Sequence, residues 1–454
     1  MGMKKLLLIN PVGRKSGFLL NRATTYPPLN LAYVAALTPS DWQVEILDEN
    51  FDDFKFEEAD LVGITAFTSN VNRAYEIAGI YRRKNIKVIL GGIHASMLPE
   101  EALQFVDSVL IGEAEGIWQT IIQDFENNSL APIYRGPVVD LSKFNVMPRR
   151  DLLHTHYFWQ TIQTSRGCPL NCNFCSVSRY LGKQYRQRRA EDILKELEGI
   201  KGDYVTFLDD NLVGYGKEAY QRAKELFRGM IDKHLNKKWC MQTSINAVDD
   251  EEVIKLAARA GCVFVFIGFE SIAGDALLNF KKGVNIKTCV SNYKKVVDTC
   301  HKYGIAVLGA FIIGSDSESP EYYKRFAEFL VKSNIDIFQI SLLTPLPGTD
   351  FFDQLKNESR LLYTNYPSDW DMYRFSYIVH QLNGPTPELI YTANNFIKKR
   401  LYSFPTYHMR LMKSFLAIRK LSNWFAVYKI NEGYKKAWKN SHYYSEYPSD
   451  FSPY

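Results

Sequence analysis

The 454-residue chain has no apolar run near the ~20 residues that span a bilayer, so no transmembrane segment is expected. Its first short run, Leu6-Leu7-Leu8-Ile9, ends at once in Asn10-Pro11. That is too short for a signal-peptide core and reads as a buried strand. Without a secretion signal the expected setting is a reducing cytoplasm, where seven cysteines need not pair. No cysteine occurs in the first 167 residues. Acids are nearly missing from Lys398 to Lys439, where eleven Lys or Arg meet one acid, Glu432. The chain carries +5 in all, so this segment of +10 leaves the remainder at −5. A basic segment suits nucleic acid, anionic lipid or an acidic substrate, or is a solvated helical face. A hydrophobic fraction of 46% is that of an ordinary globular protein, and the length predicts two or three domains.

What is present centres on Thr164-Ser165-Arg166-Gly167-Cys168-Pro169-Leu170-Asn171-Cys172-Asn173-Phe174-Cys175. Three thiolates in one loop can hold three irons of a 4Fe–4S cubane and leave the fourth open. Gly167 and Pro169 keep the segment out of a helix, so the sulfurs can converge. Structural zinc is the alternative, and it wants a fourth Cys or His close by. His154 and His156 stand at no usual ligand spacing, and Cys240 and His234 lie far along the chain. Cys240, Cys262, Cys289 and Cys300 form no CxxC pair, and Cys240 and Cys262 read as core.

Upstream, strands and helices alternate. Strands are expected at Lys5–Asn10, Gln43–Leu47, Asp60–Ala66, Lys87–Leu90 and Ser108–Ile111, with helices at Asn30–Leu37 and Asn72–Lys84. This predicts an α/β fold, a doubly wound parallel sheet that binds ligands beyond its strands' carboxyl ends. The loops there hold Asn10, Pro11, Thr65 to Ser69, Gly91 to Ser96, and Gly112 to Glu115. Glycines suit close approach of a large planar ring, and Thr65, Thr68 and Ser69 offer hydroxyls. A flavodoxin-like domain that binds nothing, or another ligand, is the alternative. Pro132, Pro137 and Pro148 mark a linker. Downstream, six strands are expected at Trp159–Gln163, Tyr204–Leu208, Trp239–Gln242, Val263–Gly268, Ala306–Ile313 and Phe338–Leu343, with a helix at Ala190–Gly199. Six strand–helix units fit a partial (β/α)6 barrel. The expected divisions are 1–140, a linker 141–158, the barrel 159–355, and a helical region 356–454. In that region Pro385–Tyr402 and Tyr407–Lys439 read as helices, and Tyr443–Tyr454 as a loose tail.

The cysteine stretch resembles the radical S-adenosylmethionine (SAM) superfamily, whose CxxxCxΦC motif places an aromatic residue where Phe174 stands. The resemblance implies that the open iron binds SAM, and that reduction yields a 5′-deoxyadenosyl radical. It also implies a partial barrel whose strand ends meet SAM. Asp209, Asp210 and Asn211 would face its methionine amino group. Gln242 and Ser244 end the third strand, and Glu270 would meet the ribose or carboxylate. Gly309 to Gly314, with Ile313, would meet the adenine, and Thr344 to Thr349 closes the sixth strand. The upstream loops resemble the cobalamin-binding domain of many such enzymes. There Asn10, Pro11, Leu29, Thr65, Thr68, Ser69, Gly91, Gly92, His94, Gly112 and Glu113 would lie against the cofactor. The family's Asp-x-His-x-x-Gly loop is replaced by Val12-Gly13-Arg14-Lys15-Ser16-Gly17, so no His is expected on cobalt, and His94 is expected to tighten its own loop. The absence of upstream cysteines argues against methylthiotransferases. The expected function is methylation of an unactivated carbon. Alternatives are ring formation or oxidation with the same cofactors, or a cluster- or cobalamin-binding sensor without turnover. Expected partners are a small-molecule or lipid-like substrate and an electron donor such as flavodoxin or ferredoxin, with no nucleic acid. For the C-terminal helices, core packing stands beside a substrate cover and a membrane-surface contact.

Overall fold

Leu6 to Ile9 are fully buried because their strand lies inside a sheet covered on both faces. The computed structural model describes residues 3–13, 25–288 and 290–440. The expectations for Arg14 to Gly17, Cys289 and Tyr443–Tyr454 fall outside them. The first sheet consists of β1 (Lys4–Asn10), β2 (Trp42–Asp48), β3 (Leu61–Thr65), β4 (Lys87–Gly91), β5 (Ser108–Ile111) and β6 (Ile133–Arg135). All six are parallel, in the order β2-β1-β3-β4-β5-β6. The sixth strand falls in a stretch whose prolines suggested a linker. The linker itself is packed: Leu141 and Phe144 are buried against Leu29 and Tyr33.

The second sheet begins with β7 (Gln160–Ile162). A short antiparallel pair follows, β8 (Ser165–Arg166) against β9 (Arg186–Gln187). Then come β10 (Tyr204–Phe207), β11 (Lys238–Thr243), β12 (Cys262–Glu270), β13 (Ala306–Ile313) and β14 (Ile337–Leu342). The order β7-β10-β11-β12-β13-β14, all parallel, is that of a partial barrel. Its outer face is apolar: Phe311 packs on Phe326 and Phe338. Among the described residues its inner face is only partly filled toward β12 to β14. Phe266, Gly268, Ala310, Ile312, Gln339 and Ser341 alternate with buried neighbours yet keep part of their surface open. Strands pleat with a period of two, so these residues line one open lumen.

Beyond the barrel the chain returns to the first domain. Phe352, Trp370, Tyr373 and Val379 share a core with Tyr75 and Val88, and Trp370 Nε1 donates to Glu101 Oε2 at 2.9 Å. Three helices follow, Pro387–Tyr402, Thr406–Ile418 and Leu421–Lys439. The expected helix Tyr407–Lys439 is broken where Arg419 turns left-handed (φ 55°). The last two helices close the amino ends of β12 to β14. Asn423 Nδ2 donates to Gly304 O at 2.9 Å, and Asn431 Nδ2 to Asp336 O at 3.0 Å. No helix among the described residues is long and apolar enough to cross a membrane.

Candidate active site

The cysteine loop leaves β8 at Gly167, where φ is +85° and a Cβ would strike the carbonyl of Gln184. Only glycine fits there. The loop is held by main-chain bonds: Cys168 N donates to Gly182 O (3.1 Å), Asn173 N to Phe280 O (3.3 Å) and Phe351 N to Asn173 O (3.0 Å). All three thiols are free, and burial raises each pKa, that of Cys175 to about 12. Buried thiolates need a compensating cation, which the irons of a cluster would supply. No three His, Cys, Asp or Glu among the described residues are gathered to hold a single metal ion. A cubane spreads its thiolates over three irons, so its ligands need not converge on one point. Phe174 packs edge-on to Phe280 (5.3 Å between ring centroids) beside Ile312 and Phe351.

At the barrel's carboxyl end several expected contacts take other roles. Asp209 is fully buried and accepts from Thr164 N (3.1 Å), Thr164 Oγ1 (2.7 Å) and Ser165 Oγ (2.5 Å). Its carboxylate anchors the strand that carries the cysteines instead of facing a ligand. Asn211 shapes its own turn, accepting from Gly214 N (3.1 Å) and Thr243 Oγ1 (3.0 Å). Ser244 shares a hydrogen bond of 2.8 Å with Tyr215, a residue the sequence did not single out. Ile313 is fully buried on the outer side, so pleat parity gives Ile312 the lumen position expected of it. Gln242 is open to the lumen, and so is Asp210. Asp210 remains hemmed in by protein, and burial together with Asp209 lifts its carboxyl to about 6.

Glu270 is aimed by a backbone irregularity. The pairing of β12 with β13 shifts between Gly268 and Glu270, and Glu270 takes φ +65°. A bulge of this kind re-aims a side chain, and a left-handed non-glycine is a mark of functional strain. The carboxylate folds back over Gly268, where a Cβ would collide with it. Lys282 Nζ meets it at 2.8 Å. Despite desolvation, which pulls the other way, Glu270 and the Cys172 sulfur raise the Lys282 pKa, so a cation stands beside the cysteine loop.

On the first domain the loops close on each other. His94 is fully buried, its Nδ1 3.2 Å from Thr68 Oγ1 and its Nε2 3.1 Å from Glu101. It therefore tightens its loop, and Thr68 is spent on it. Thr65 Oγ1 accepts from Asn30 Nδ2 (2.9 Å), and Asn10 Nδ2 donates to Asp48 (2.8 Å). Pro11 O accepts from Asn70 Nδ2 at 2.9 Å. Ser69 keeps part of its surface open, as does Gly91. Leu29 is core. Gly92 (φ +96°) is required by the loop itself, because a Cβ would strike Ala66. Gly112 turns left-handed (φ +81°), its N donating to Ser96 Oγ at 3.0 Å. Phe67, unmarked in the sequence, projects from the end of β3 with most of its side chain exposed. Gly91, the partly open Ser69 and the exposed Phe67 ring, beyond a parallel sheet, fit a broad planar ligand.

Glu113, expected at that ligand, instead joins the two domains together with Glu115. Arg166, two residues before Cys168, meets Glu113 Oε2 at 3.1 Å and Glu115 Oε1 at 2.5 Å. Arg186 forks onto Glu113 and donates to Val139 O at 2.7 Å. A second bridge runs from Tyr33 Oη to Arg188 Nη1 (3.2 Å) and from Arg188 to Glu196 (2.6 Å). The loop after β5 and the cysteine loop are thus fixed side by side.

The family model of the Radical SAM superfamily matches residues 162–330, and that of the B12 binding domain matches residues 16–122. Bacteriochlorophyllide d C-12(1)-methyltransferase of Chlorobaculum tepidum is 32% identical over 82% of this chain and 81% of its own. The chain belongs to the radical SAM superfamily, among its B12-binding methyltransferases. It is accordingly an enzyme whose cofactors are a 4Fe–4S cluster, SAM and cobalamin, and the non-catalytic sensor falls away. Hopanoid C-2 methylase of Rhodopseudomonas palustris is 28% identical over 75% of this chain and 66% of its own. Methyltransferase TsrM of Kitasatospora setae, solved with cobalamin and a 4Fe–4S cluster, has the same fold. It superposes with a TM-score of 0.71 over 97% of this chain and all of its own, at 17% identity.

Proposed function

We infer that this radical SAM enzyme methylates an unactivated carbon of a hydrophobic small molecule, drawing electrons from a small carrier such as flavodoxin or ferredoxin. The observation that carries the reading is Arg166. It leads into the cysteine loop and is ion-paired to both glutamates of the loop after β5. Two cofactors that act on one substrate must face one space, and this contact sets their loops against each other. When bound, the cluster and SAM supply a hydrogen-abstracting radical, and cobalamin supplies the methyl group. The chain's own residues position and shield. Cys168, Cys172 and Cys175 would hold the cluster, and Asp209 keeps their strand in place. Lys282, Glu270, Gln242 and Asp210 are polar groups at the carboxyl ends of the strands, where SAM would lie. The open lumen positions of β12 to β14 carry Phe266, Gly268, Ala310, Ile312, Gln339 and Ser341, none of them charged. Away from the polar groups at the strand ends, such a lining suits the uncharged body of a substrate, since a charge there would lose hydration without a partner. Its relatives include a bacteriochlorophyllide d C-12(1)-methyltransferase and a hopanoid C-2 methylase, which supports the reading.

The test uses the anaerobically reconstituted full chain, SAM labelled in its methyl group, and lipid extracts of cells lacking the enzyme. One labelled methyl in a product, with 5′-deoxyadenosine formed alongside, is the expected result. 5′-Deoxyadenosine with no label transferred would favour ring formation or oxidation.

A second expectation concerns cobalt. Both nitrogens of His94 are engaged and no His precedes it in the sequence. Electron paramagnetic resonance of the cob(II)alamin form should therefore show no nitrogen coupling from a protein ligand. An imidazole signal would contradict this.

A further inference from the structure

The basic C-terminal segment divides once its side chains are placed. Tyr434 is packed, its Oη donating to Gln339 Oε1 at 2.9 Å, and Trp438 donates to Asn395 at 3.0 Å. A different set faces outward. On the helix Thr406–Ile418, Met409, Met412 and Leu416 are exposed at spacings of three and four, which puts them on one face. On the helix Leu421–Lys439, Leu421 is 68% exposed and Phe425 52%. Phe404, in the turn before the helix Thr406–Ile418, is 83% exposed. Ring contacts make the patch continuous across both helices. Phe415 meets Trp424 edge-on at 5.5 Å, Trp424 stacks on Tyr428 at 6.0 Å, and Tyr428 lies 6.3 Å from Phe425. Single exposed apolar residues are ordinary, but a contiguous cluster marks a binding surface.

The charge around the patch decides what it binds. Lys413, Arg419, Lys420 and Lys429 are all exposed there, and Lys429 Nζ sits 5.2 Å over the Phe425 ring. No Asp or Glu occurs between Glu388 and Glu432. Glu432 itself lies beyond the patch, hydrogen-bonded to Tyr407 Oη at 2.6 Å. A second copy of the chain would bring like charges together, because a twofold contact pairs a surface with itself. Apolar side chains flanked by Lys and Arg, on a segment that carries no acid between Glu388 and Glu432, match the interface of an anionic bilayer.

We propose that the helical hairpin Thr406–Lys439 docks the enzyme on the surface of an anionic membrane. Met412, Leu416, Leu421 and Phe425 enter the boundary of headgroups and acyl chains, and Lys413, Arg419 and Lys420 meet lipid phosphates. The same second helix reaches Gln339 in the barrel lumen through Tyr434, about 13 Å further along its axis from Phe425 at 1.5 Å per residue. Docking would thus hold the enzyme at the surface of the phase that dissolves a hydrophobic substrate, through the helices that close the barrel's amino end. It deepens the proposed substrate class but does not depend on which carbon is methylated.

Co-sedimentation of the full anaerobic chain tests this, with vesicles of phosphatidylcholine alone or mixed with phosphatidylglycerol. At low salt, binding to the mixed vesicles should exceed binding to neutral ones at least tenfold and fall as sodium chloride rises. The double variants Lys413→Glu/Lys420→Glu and Leu416→Ser/Phe425→Ser change exposed side chains only, so both should fold. Each should lose that binding at least tenfold while still forming 5′-deoxyadenosine with a chemical reductant. No binding at low salt, or equal binding by wild type and both variants, would overturn the proposal. So would dimers that dissociate in Leu416→Ser/Phe425→Ser, since the face would then belong to a second copy. Loss of 5′-deoxyadenosine in the wild type would instead count against the functional reading, so the two failures are distinguishable.

Discussion

Arg166→Met should destabilise the folded chain by ~3–5 kcal/mol, the usual result of removing one partner from a buried ion pair. Arg166 and Glu113 are buried and the Glu115 side chain is only 9% exposed, so neither glutamate turns freely to water when the guanidinium is lost. The effect should be largest where the two domains meet, seen as faster amide exchange in the loop after β5 and in β8. Arg166→Lys keeps the charge but not the fork that reaches two carboxylates, so it should recover part of the loss. The pH dependence has a definite sign. Burial alone would raise the Glu113 carboxyl, but Arg186 and Arg166 outweigh it and hold it below its ordinary value. A lowered carboxylate contributes stability that is complete above its unfolded value of ~4.3 and is lost as pH falls through the lowered one. The wild type should therefore lose stability steeply below about pH 4, and Arg166→Met less steeply. Chemical denaturation across that range measures both, and equal stability of variant and wild type would contradict the interdomain role.

The strands β1 to β5 and β10 to β14 were legible because each is an apolar run cut off by polar or glycine residues. β6 was not, since Ile133-Tyr134-Arg135 is three residues between prolines. The broken C-terminal helix was read as one because its apolar periodicity continues past Arg419, and no glycine or proline marks the break. Site residues were legible by position in the chain but not by orientation. Asp209 and Glu113 sit where ligands would be expected, yet one is claimed by Thr164 and Ser165 and the other by arginines far along the chain. A single carboxylate in sequence does not show which partner folding brings to it. Ile312 and Ile313 differ only by pleat parity, and a one-residue error exchanges lumen for outer face. The bulge at Gly268 and Glu270 left no mark in the sequence, and Lys282 was overlooked because only the folded chain brings it to Glu270. The aromatic residues of the last helix were one group in sequence and are two in space. Tyr434 and Trp438 pack inward, whereas Phe425 faces out.

The central claim is that Cys168, Cys172 and Cys175 hold the cluster at which SAM is cleaved. The most direct measurement is iron content and 5′-deoxyadenosine formation in the anaerobically reconstituted chain with all three cysteines replaced by Ala, beside the wild type. Cys168 and Cys175 are partly exposed and the loop is anchored by backbone bonds at Asn173, so the remainder should fold. Retained corrinoid binding by the variant would confirm that it does. The wild type should hold about four irons per chain, as a cubane requires, and should cleave SAM under reduction. The variant should hold no iron above background and form no 5′-deoxyadenosine. A variant that keeps about four irons per chain, or still cleaves SAM, would contradict the account.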